Sequence, residues 1–375
     1  MAARLPPEAW VVALACLPEM GPGRLRAVLE GRPPEAAWHH VCTGTCVRGA
    51  VYAPGGDAAA LARRWGTAGR NLDVAAIWRA HEEAGIGVAA FGSAAFPAPF
   101  ADDVDPPGVV FTIGDPGVIA GARVAIVGTR SATRYGLDVA HELGSGLAAA
   151  GVGVVSGLAL GIDGAAHAGA LDADDGAGPP IAVVGSGLDI VYPRAHRELW
   201  RAVGRRGLLL SEAPLGTRPD RWRFPARNRL IAALADVVVV VESREAGGSM
   251  HTVNEAVRRG RTVLAVPGPV RSAASLGTNR LLGECAIPAC DVSDVLIALG
   301  LSPGLTRSAV ETRAAPTGAD ATVLTALGWQ PASLDQLLLR TGLGLGPLTL
   351  ALDTLAETGW VAQRGGWYEQ VARQG

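Results

Sequence analysis

The sequence predicts an α/β fold built on a doubly wound parallel sheet. Between Ala122 and Ala286, short apolar runs without period-2 alternation are separated by helix-length amphipathic segments. Strands buried on both faces lose alternation because neither face meets water, and this is typical of parallel sheets. Four of the runs end in glycine-bearing turns, at Gly128, Gly157, Gly185 and Gly268. We therefore expect strands that alternate with covering helices.

The glycine turns predict an anion site. In doubly wound sheets, ligands bind beyond the carboxyl ends of the strands, where backbone N–H groups and helix N-termini are exposed. Polar, small or cationic residues flank these glycines, namely Thr129, Arg130, Ser156 and Gly187. This combination at several strand ends favours a phosphate group as the ligand.

Positive charge is concentrated in one stretch of a nearly neutral chain. The formal net charge of the 375 residues is −2, but the segment 193–230 carries ten Arg against three acidic residues. Such a patch is expected of a phosphate-backbone binder, although a solvated helix face explains its first part, 194–206, equally well. All 33 cationic residues are Arg. The absence of Lys excludes a P-loop nucleotide site and Schiff-base chemistry.

We expect a soluble, cytoplasmic protein without a metal or cofactor. The five Cys form no secreted-type framework, and neither a signal peptide nor a membrane span is expected. A metal site could be imagined at His39, His40, Cys42 and Cys46. These lie in one short segment, whereas a structural zinc site usually joins two separated ligand pairs. Gly185 and Gly187 lack the third glycine of G-x-G-x-x-G, so no dinucleotide is expected.

The domain prediction divides the chain into residues 1–70, 71–300, a linker at 301–318, and 319–375. The first part contains two helices joined by a Gly-Pro-Gly turn at 21–23. This helix-hairpin-helix pattern either binds a DNA phosphate through its turn amides or only packs. The last part has three helices and a Gly-Gly hairpin, the plan of a winged-helix domain. Its third helix, 345–358, is acidic and lacks Arg, which favours a protein-interaction or packing role.

A second group of candidate contacts follows residue 221. We expect Arg227, Asn228 and Arg229 in the first turn of a helix, where cations oppose the helix dipole and so indicate a bound anion. Phe224 and Trp222 beside these Arg residues are typical of sites where single-stranded bases stack. The sequence thus predicts a strand-binding surface here.

Two further segments contribute candidates. The loop 247–252 has the size of a phosphate-binding loop and carries Ser249 and Thr252. Asp163 and His167 are four residues apart and therefore lie on one helix face. The pair could act as acid and base, but no third catalytic partner is evident. We therefore interpret Asp163 as capping or fixing the loop through N–H contacts, and His167 as a packed or loop-bracing residue.

Six short runs, in order, resemble those of a known family. They are VAIVGTR at 124–130, SGLALGID at 156–163, GSGLD at 185–189, LSE at 210–212, FPARNR at 224–229 and VPG at 266–268. Together they resemble the DNA-processing protein A (DprA, also called Smf) family. The order and spacing match through about Ala286, and both flanking domains are of the kind expected in that family.

The resemblance implies an extended Rossmann-like domain that binds single-stranded DNA in a basic pocket. It also implies a homodimer that loads the RecA recombinase in natural transformation, as a DNA chaperone rather than an enzyme. Carried over by position, the contacts fall on Gly128, Thr129, Arg130, Ser156, Gly157, Gly161, Gly185, Gly187, Arg227, Asn228 and Arg229. The chain departs from the family pattern at 247–253 and at 285–286, where small residues and Thr252 are nevertheless kept.

Two other functions remain open from the sequence. The first is a nucleotide phosphoribohydrolase of the cytokinin-activating kind, indicated by Gly247 and Gly248 followed by Thr252 and Glu255. The loop of that enzyme class is not reproduced, because one residue is extra and His251 replaces the glycine before Thr252. The second is a recombination adaptor that binds no nucleic acid.

Overall fold

The computed structural model describes residues 4–44, 46, 57–174, 176–301, 313–328 and 330–371. Most of the predicted linker at 301–318 lies outside these residues, so that prediction is not addressed. No helix in the described part of the chain is long and apolar enough to cross a membrane.

The N-terminal part is helical, as predicted. Its helices are α1 (Pro7–Ala15), α2 (Pro22–Leu29), α3 (Pro34–Cys42), α4 (Ala58–Asn71) and α5 (Val74–Glu83). Proline at the first helical position starts α1, α2 and α3, since that position needs no N–H donor. Asp73 caps α5 by accepting a hydrogen bond from Ala76 N. Helix α5 therefore begins at Val74.

A nine-stranded sheet forms the centre of the described chain. Its strands are β1 (Gly87–Ala90), β2 (Val109–Gly114), β3 (Arg123–Val127), β4 (Gly153–Ser156), β5 (Pro180–Val183), β6 (Leu208–Ser211), β7 (Val237–Val240), β8 (Thr262–Ala265) and β9 (Ile287–Pro288). The spatial order is β1-β2-β6-β5-β4-β3-β7-β8-β9. Along the spatial order from β6 through β5, β4, β3, β7 and β8 to β9, every neighbouring pair of strands is parallel. Strand β2, in contrast, pairs antiparallel with both β1 and β6. The parallel prediction is confirmed for the central strands, and an antiparallel edge is added.

Helices cover both faces of this sheet. They are α6 (Ala98–Ala101), α7 (Arg134–Ala149), α8 (Ile162–Asp172), α9 (Arg197–Arg206), α10 (Arg223–Leu234), α11 (Ser249–Arg258), α12 (Leu276–Glu284) and α13 (Val292–Ala298). One face packs against α7, α8 and α13, and the other against α10, α11 and α12. Both faces of β3 are buried, which explains why its sequence does not alternate.

The order of the strands creates a crevice. β3 pairs with β4 on one side and with β7 on the other, so the chain winds outward from β3 in both directions. The loops that follow β3 and β7 consequently diverge beyond the sheet, as expected at a topological switch point. The predicted glycine turn at 128–130 lies there.

The C-terminal part has the predicted winged-helix architecture. Its elements are α14 (Gly318–Leu327), β10 (Ala332–Ser333), α15 (Leu334–Thr341), α16 (Leu345–Glu357), β11 (Val361–Arg364) and β12 (Trp367–Gln370). Val323, Leu337 and Leu352 contribute to a separate hydrophobic core. Ser333 and Gln336 form a capping box at the start of α15.

Candidate nucleic-acid interface

A cleft of about 730 Å³ opens at the switch point. Three segments line it: the end of β3 with the loop after it (127–131), the first turns of α10 with Arg221 before them (221–231), and the loop before α11 with the start of that helix (244–252). Ala159, Asp163 and Tyr192 complete the lining. Arg130 and Arg227, which the sequence analysis places in one pocket, therefore share a cleft.

Glu242 holds the loop after β3 in place. Its backbone oxygen accepts a hydrogen bond from Thr129 N at 2.7 Å. Its buried carboxylate accepts from Thr133 N at 2.9 Å and from Thr133 Oγ1 at 2.6 Å. Thr133 also caps α7, since its side chain accepts a hydrogen bond from Gly136 N. Glu242 is thus a positioning residue for this loop.

A buried ion pair forms the floor of the cleft, which we define as Arg227 and Asp163. Arg227 Nη2 lies 3.9 Å from Asp163 Oδ2, and Arg227 Nη1 donates to Gly157 O at 2.9 Å and to Val183 O. Asp163 accepts from Gly157 N at 3.1 Å, which agrees with its predicted loop-fixing role. Burial raises the pKa of Asp163 and lowers the pKa of Arg227 to about 10, and each charge opposes the shift of the other.

The rim of the cleft, which we define as Arg130, Arg221 and Arg244, is exposed and cationic. None of the three has a carboxylate partner among the residues that the structure describes. The Arg130 guanidinium carbon lies 5.0 Å from the centroid of the Phe224 ring. Tyr192 lies beside Phe224, with ring centroids 5.3 Å apart. The rim therefore combines unpaired cations with an aromatic surface on which a base can stack.

Three helices begin at the cleft. Asp163 is in the first turn of α8, Phe224 in the first turn of α10, and Ser249 is the first residue of α11. No side chain caps α11, because Gly248 precedes it. Helix N-termini carry partial positive charge and unpaired N–H groups, so their convergence favours an anion.

The glycines near the cleft have a steric role in the described loops. Gly161 has φ +80°, and an added Cβ would meet the backbone oxygen of Thr129. A Cβ at Gly157 would meet the Arg227 guanidinium, and one at Gly128 would meet Ile162. The amides of Thr129 and Gly157 already donate to Glu242 and Asp163. These glycines therefore allow close packing of the loops, and these two amides are not available to a ligand.

The structure brings together most of the predicted site residues. Those that line the cleft are Gly128, Thr129, Arg130, Asp163, Phe224, Arg227, Asn228, Ser249 and Thr252. Ser249 Oγ donates to Ser243 Oγ at 2.8 Å, so this hydroxyl is already engaged. Ser156, Gly157 and Gly161 lie behind the lining. Ser156 is fully buried and donates to Ile126 O at 2.6 Å.

Three predicted residues are placed elsewhere. Gly185 borders a separate cavity, and Gly187 donates its amide to Thr217 O at 2.9 Å. Arg229 is buried and paired with Glu212 at 2.5 Å and with Asp105 at 3.3 Å. Arg229 points away from the cleft because α10 begins at Arg223, so that residues 227–229 lie in its second turn and their side chains take different directions. A DNA contact in the cleft by any of these three stays a prediction that their positions do not favour.

Sequence reasoning missed three residues that line the cleft, namely Arg221, Arg244 and Tyr192, and also Glu242, which supports the loop after β3. Arg221 belongs to the basic stretch 193–230 and could have been found there. Arg244 and Glu242 directly follow β7, whose position beside β3 is a feature of topology and not of local sequence.

Two residues considered for catalysis lie outside the cleft lining. His167 is fully buried and its Nε2 is 3.3 Å from Ile181 O. Burial lowers the pKa of His167 to about 4, so it is neutral at pH 7. The Glu255 carboxylate pairs with Arg259, on the following turn of α11. His167 is therefore packed as predicted, and Glu255 is not presented to the cleft.

The chain matches two family models. The model described as DNA recombination-mediator protein A matches residues 87–300, and the DprA winged helix domain matches residues 307–366. A Mycobacterium tuberculosis DNA processing protein is 46% identical over 182 residues, which cover 48% of this chain and 46% of that relative. The match thus spans less than half the length of this curated relative.

Two solved structures are similar. The DNA processing protein A of Streptococcus pneumoniae has a TM-score of 0.64 and 28% identity, covering 79% of this chain and 98% of that one. The protein of Helicobacter pylori, studied for its single-stranded DNA binding mode, has a TM-score of 0.51 and 29% identity, covering 56% and 95%. Because a family model covers more than half of the sequence, the chain belongs to the DNA recombination-mediator protein A family, a family of recombination mediators and not of enzymes.

Proposed function

We propose that this chain binds single-stranded DNA in the cleft and delivers the strand to a RecA recombinase. The observation that carries the proposal is the rim: three exposed guanidiniums without carboxylate partners in the described chain line the cleft together with Phe224, and one of them, Arg130, lies over its ring. Arginine forks suit bidentate contacts with phosphate oxygens. The Helicobacter pylori relative, with its single-stranded DNA binding mode, supports the same substrate.

A single strand fits this arrangement better than a duplex. Phe224 and Tyr192 offer ring faces, and stacking on them requires a base that has left its own stack. In a duplex the bases are paired and stacked, so only the phosphates could reach the rim. The cleft is accordingly proposed to distinguish the two forms by base stacking rather than by charge.

The later steps are part of the same proposal. We infer that the protein acts as a homodimer, in the cytoplasm, on strands that enter during natural transformation. The family description as a recombination mediator supports delivery to RecA. The cleft residues would hold the strand until the recombinase takes it.

The test is binding of a labelled dT oligomer and of a matching duplex, measured by fluorescence anisotropy over a range of salt. The wild type should prefer the single strand. In the Arg221→Ala/Arg244→Ala double variant, the slope of log affinity against log salt should shrink by roughly 0.7 for each phosphate that the variant no longer binds. Equal affinity for the duplex, or an unchanged double variant, would contradict the proposal.

The RecA step has a separate test. RecA filament formation on a strand coated with single-strand-binding protein should start sooner when the wild-type chain is added. The double variant should show a weaker effect, in proportion to its reduced DNA affinity. Filament formation that is unaffected by the wild type would remove RecA delivery from the proposal and leave strand binding intact.

A further inference from the structure

A second cavity, of about 760 Å³, lies across the N-terminal end of α10 from the cleft. We call it the hairpin cavity, because the turn between α1 and α2 forms one wall. The opposite wall consists of residues 184–185 and 211–217, which follow β5 and β6, together with Trp222, Arg223, Ala226 and Arg227. Arg227 is the residue that lines both spaces.

The segment 221–224 presents side chains to both spaces. Arg221 and Phe224 line the cleft, whereas Trp222 and Arg223 line the hairpin cavity. The Arg223 guanidinium carbon is 4.4 Å from the Trp222 ring centroid, which repeats the Arg130–Phe224 arrangement. Trp222 is 55% exposed, so much of its side chain is open to solvent. The N-terminus of α10 thus has one cation–aromatic pair on each side, Arg130–Phe224 in the cleft and Arg223–Trp222 in the hairpin cavity.

The hairpin cavity has a different chemistry from the cleft. Much of its lining is apolar, including Leu17, Met20, Leu25, Val184 and Leu215. Its charges are largely neutralised: Glu212 pairs with Arg229, and Arg24 lies 3.9 Å from Glu19. Arg223 has no carboxylate within ion-pair distance in the described chain. An apolar space with an aromatic wall and one unpaired cation suits a nucleobase more than a run of phosphates.

A braced network holds the hairpin against α10. Arg26 Nη2 donates to Asp105 Oδ1 at 3.0 Å, and Arg229 Nε lies 3.3 Å from the other oxygen of the same carboxylate. Trp65 Nε1 donates to Pro18 O in the turn at 2.8 Å. These contacts fix both walls of the cavity relative to each other.

We propose that the hairpin cavity binds bases of the same single strand after it crosses the N-terminus of α10, with Trp222 as the stacking surface. This inference rests on the proposed function and adds a path for the strand. The cleft holds phosphates and one stacked base, and the neighbouring bases enter the hairpin cavity. The N-terminal hairpin thereby becomes a wall of the DNA site.

Cross-linking of the full chain locates the bases directly. A dT oligomer longer than the cleft carries a single 5-iodouracil, which is moved along the strand and irradiated in the bound complex. We expect some positions to label Phe224 or Tyr192 and others to label Trp222 or the segment 16–22. Labelling of the cleft aromatics alone would overturn the hairpin cavity and leave strand binding intact. Absence of strand binding itself would overturn both.

An affinity series provides a second readout. Trp222→Ala should weaken long oligomers about ten-fold, as expected when one base loses its stacking partner, and leave the shortest bound oligomers unchanged. Trp222→Phe should restore the affinity. Phe224→Ala, as the matched control, should weaken oligomers of every length. A Trp222→Ala loss that is independent of length, or no loss at all, would contradict the proposal.

Discussion

The rim and the floor of the cleft both contain arginine, but the rim arginines are free to bind a ligand and the floor arginine supports the fold. Arg130, Arg221 and Arg244 at the rim are exposed and lack carboxylate partners in the described chain. Arg227 in the floor is buried, pairs with Asp163 and donates to two backbone oxygens. A guanidinium that is already paired can shape a site but has few donors left for a ligand. All four arginines line the cleft, so what distinguishes the proposed binding residues from the supporting one is whether the guanidinium already has an ion-pair partner.

The largest effect should come from breaking the floor. Arg227→Ala leaves the Asp163 carboxylate buried without its cation, which costs about 3–5 kcal/mol of unfolding free energy. Chemical denaturation at pH 7 measures this loss. In the Asp163→Asn/Arg227→Met double variant both charges are gone, so stability should be largely regained. Equal losses in the two variants would show that the ion pair is not the cause.

A second test uses pH and addresses His167, one helical turn after Asp163 on α8. His167 is buried close behind the cleft, and its pKa falls from 6.5 to about 4 in the folded chain. The unfolded chain therefore takes up a proton first, and stability should fall as pH drops from about 6.5 toward 4. The loss amounts to about 2 kcal/mol at pH 5 relative to pH 7.

His167→Gln removes this titration and is the matched comparison. Its unfolding free energy should change less between pH 7 and pH 5 than that of the wild type, because all other titrating groups are shared. The same pH dependence in both proteins would mean that His167 is not held neutral.

The sequence predicted the parts of this site that depend on local pattern. Apolar runs located the central strands, and a glycine turn after β3 located the cleft, because parallel strand ends meet at one edge. Residues 227–229 show the limit. They are consecutive, yet Arg227 lies in the floor and Arg229 pairs with Glu212 and Asp105. Which direction each side chain takes depends on where α10 begins, and that was predicted one turn too late.

The antiparallel direction of β2 was equally hidden from local pattern. Its sequence is as apolar as that of the central strands, but it pairs with β6 in the reverse direction. The direction of β2 relative to β6 depends on the path of the chain that connects the strands, and residues 87–114 carry no local sequence signal for that path. The position of Arg244 in the rim was also not predictable from local sequence, because it depends on the pairing of β7 with β3.

The rim should respond in binding and not in stability. Arg130→Ala removes one charge-assisted contact, so affinity for a single strand should fall roughly ten-fold and the salt slope should shrink by about 0.7. Because Arg130 is exposed, unfolding free energy should stay within about 0.5 kcal/mol of the wild type. Anisotropy titrations at several salt concentrations and chemical denaturation give the two values. A stability loss comparable to that of Arg227→Ala would break the distinction between rim and floor.

The smallest effect should come from an Arg outside the cleft. Arg205 lies in the same basic stretch as Arg221 and is exposed on α9, but it does not line the cleft. Arg205→Ala changes the net charge by the same amount as Arg130→Ala but removes no side chain from the cleft lining. Affinity and salt slope should therefore remain at wild-type values. If Arg205→Ala instead matches Arg130→Ala, binding follows the total charge of the stretch, and the cleft is not the site.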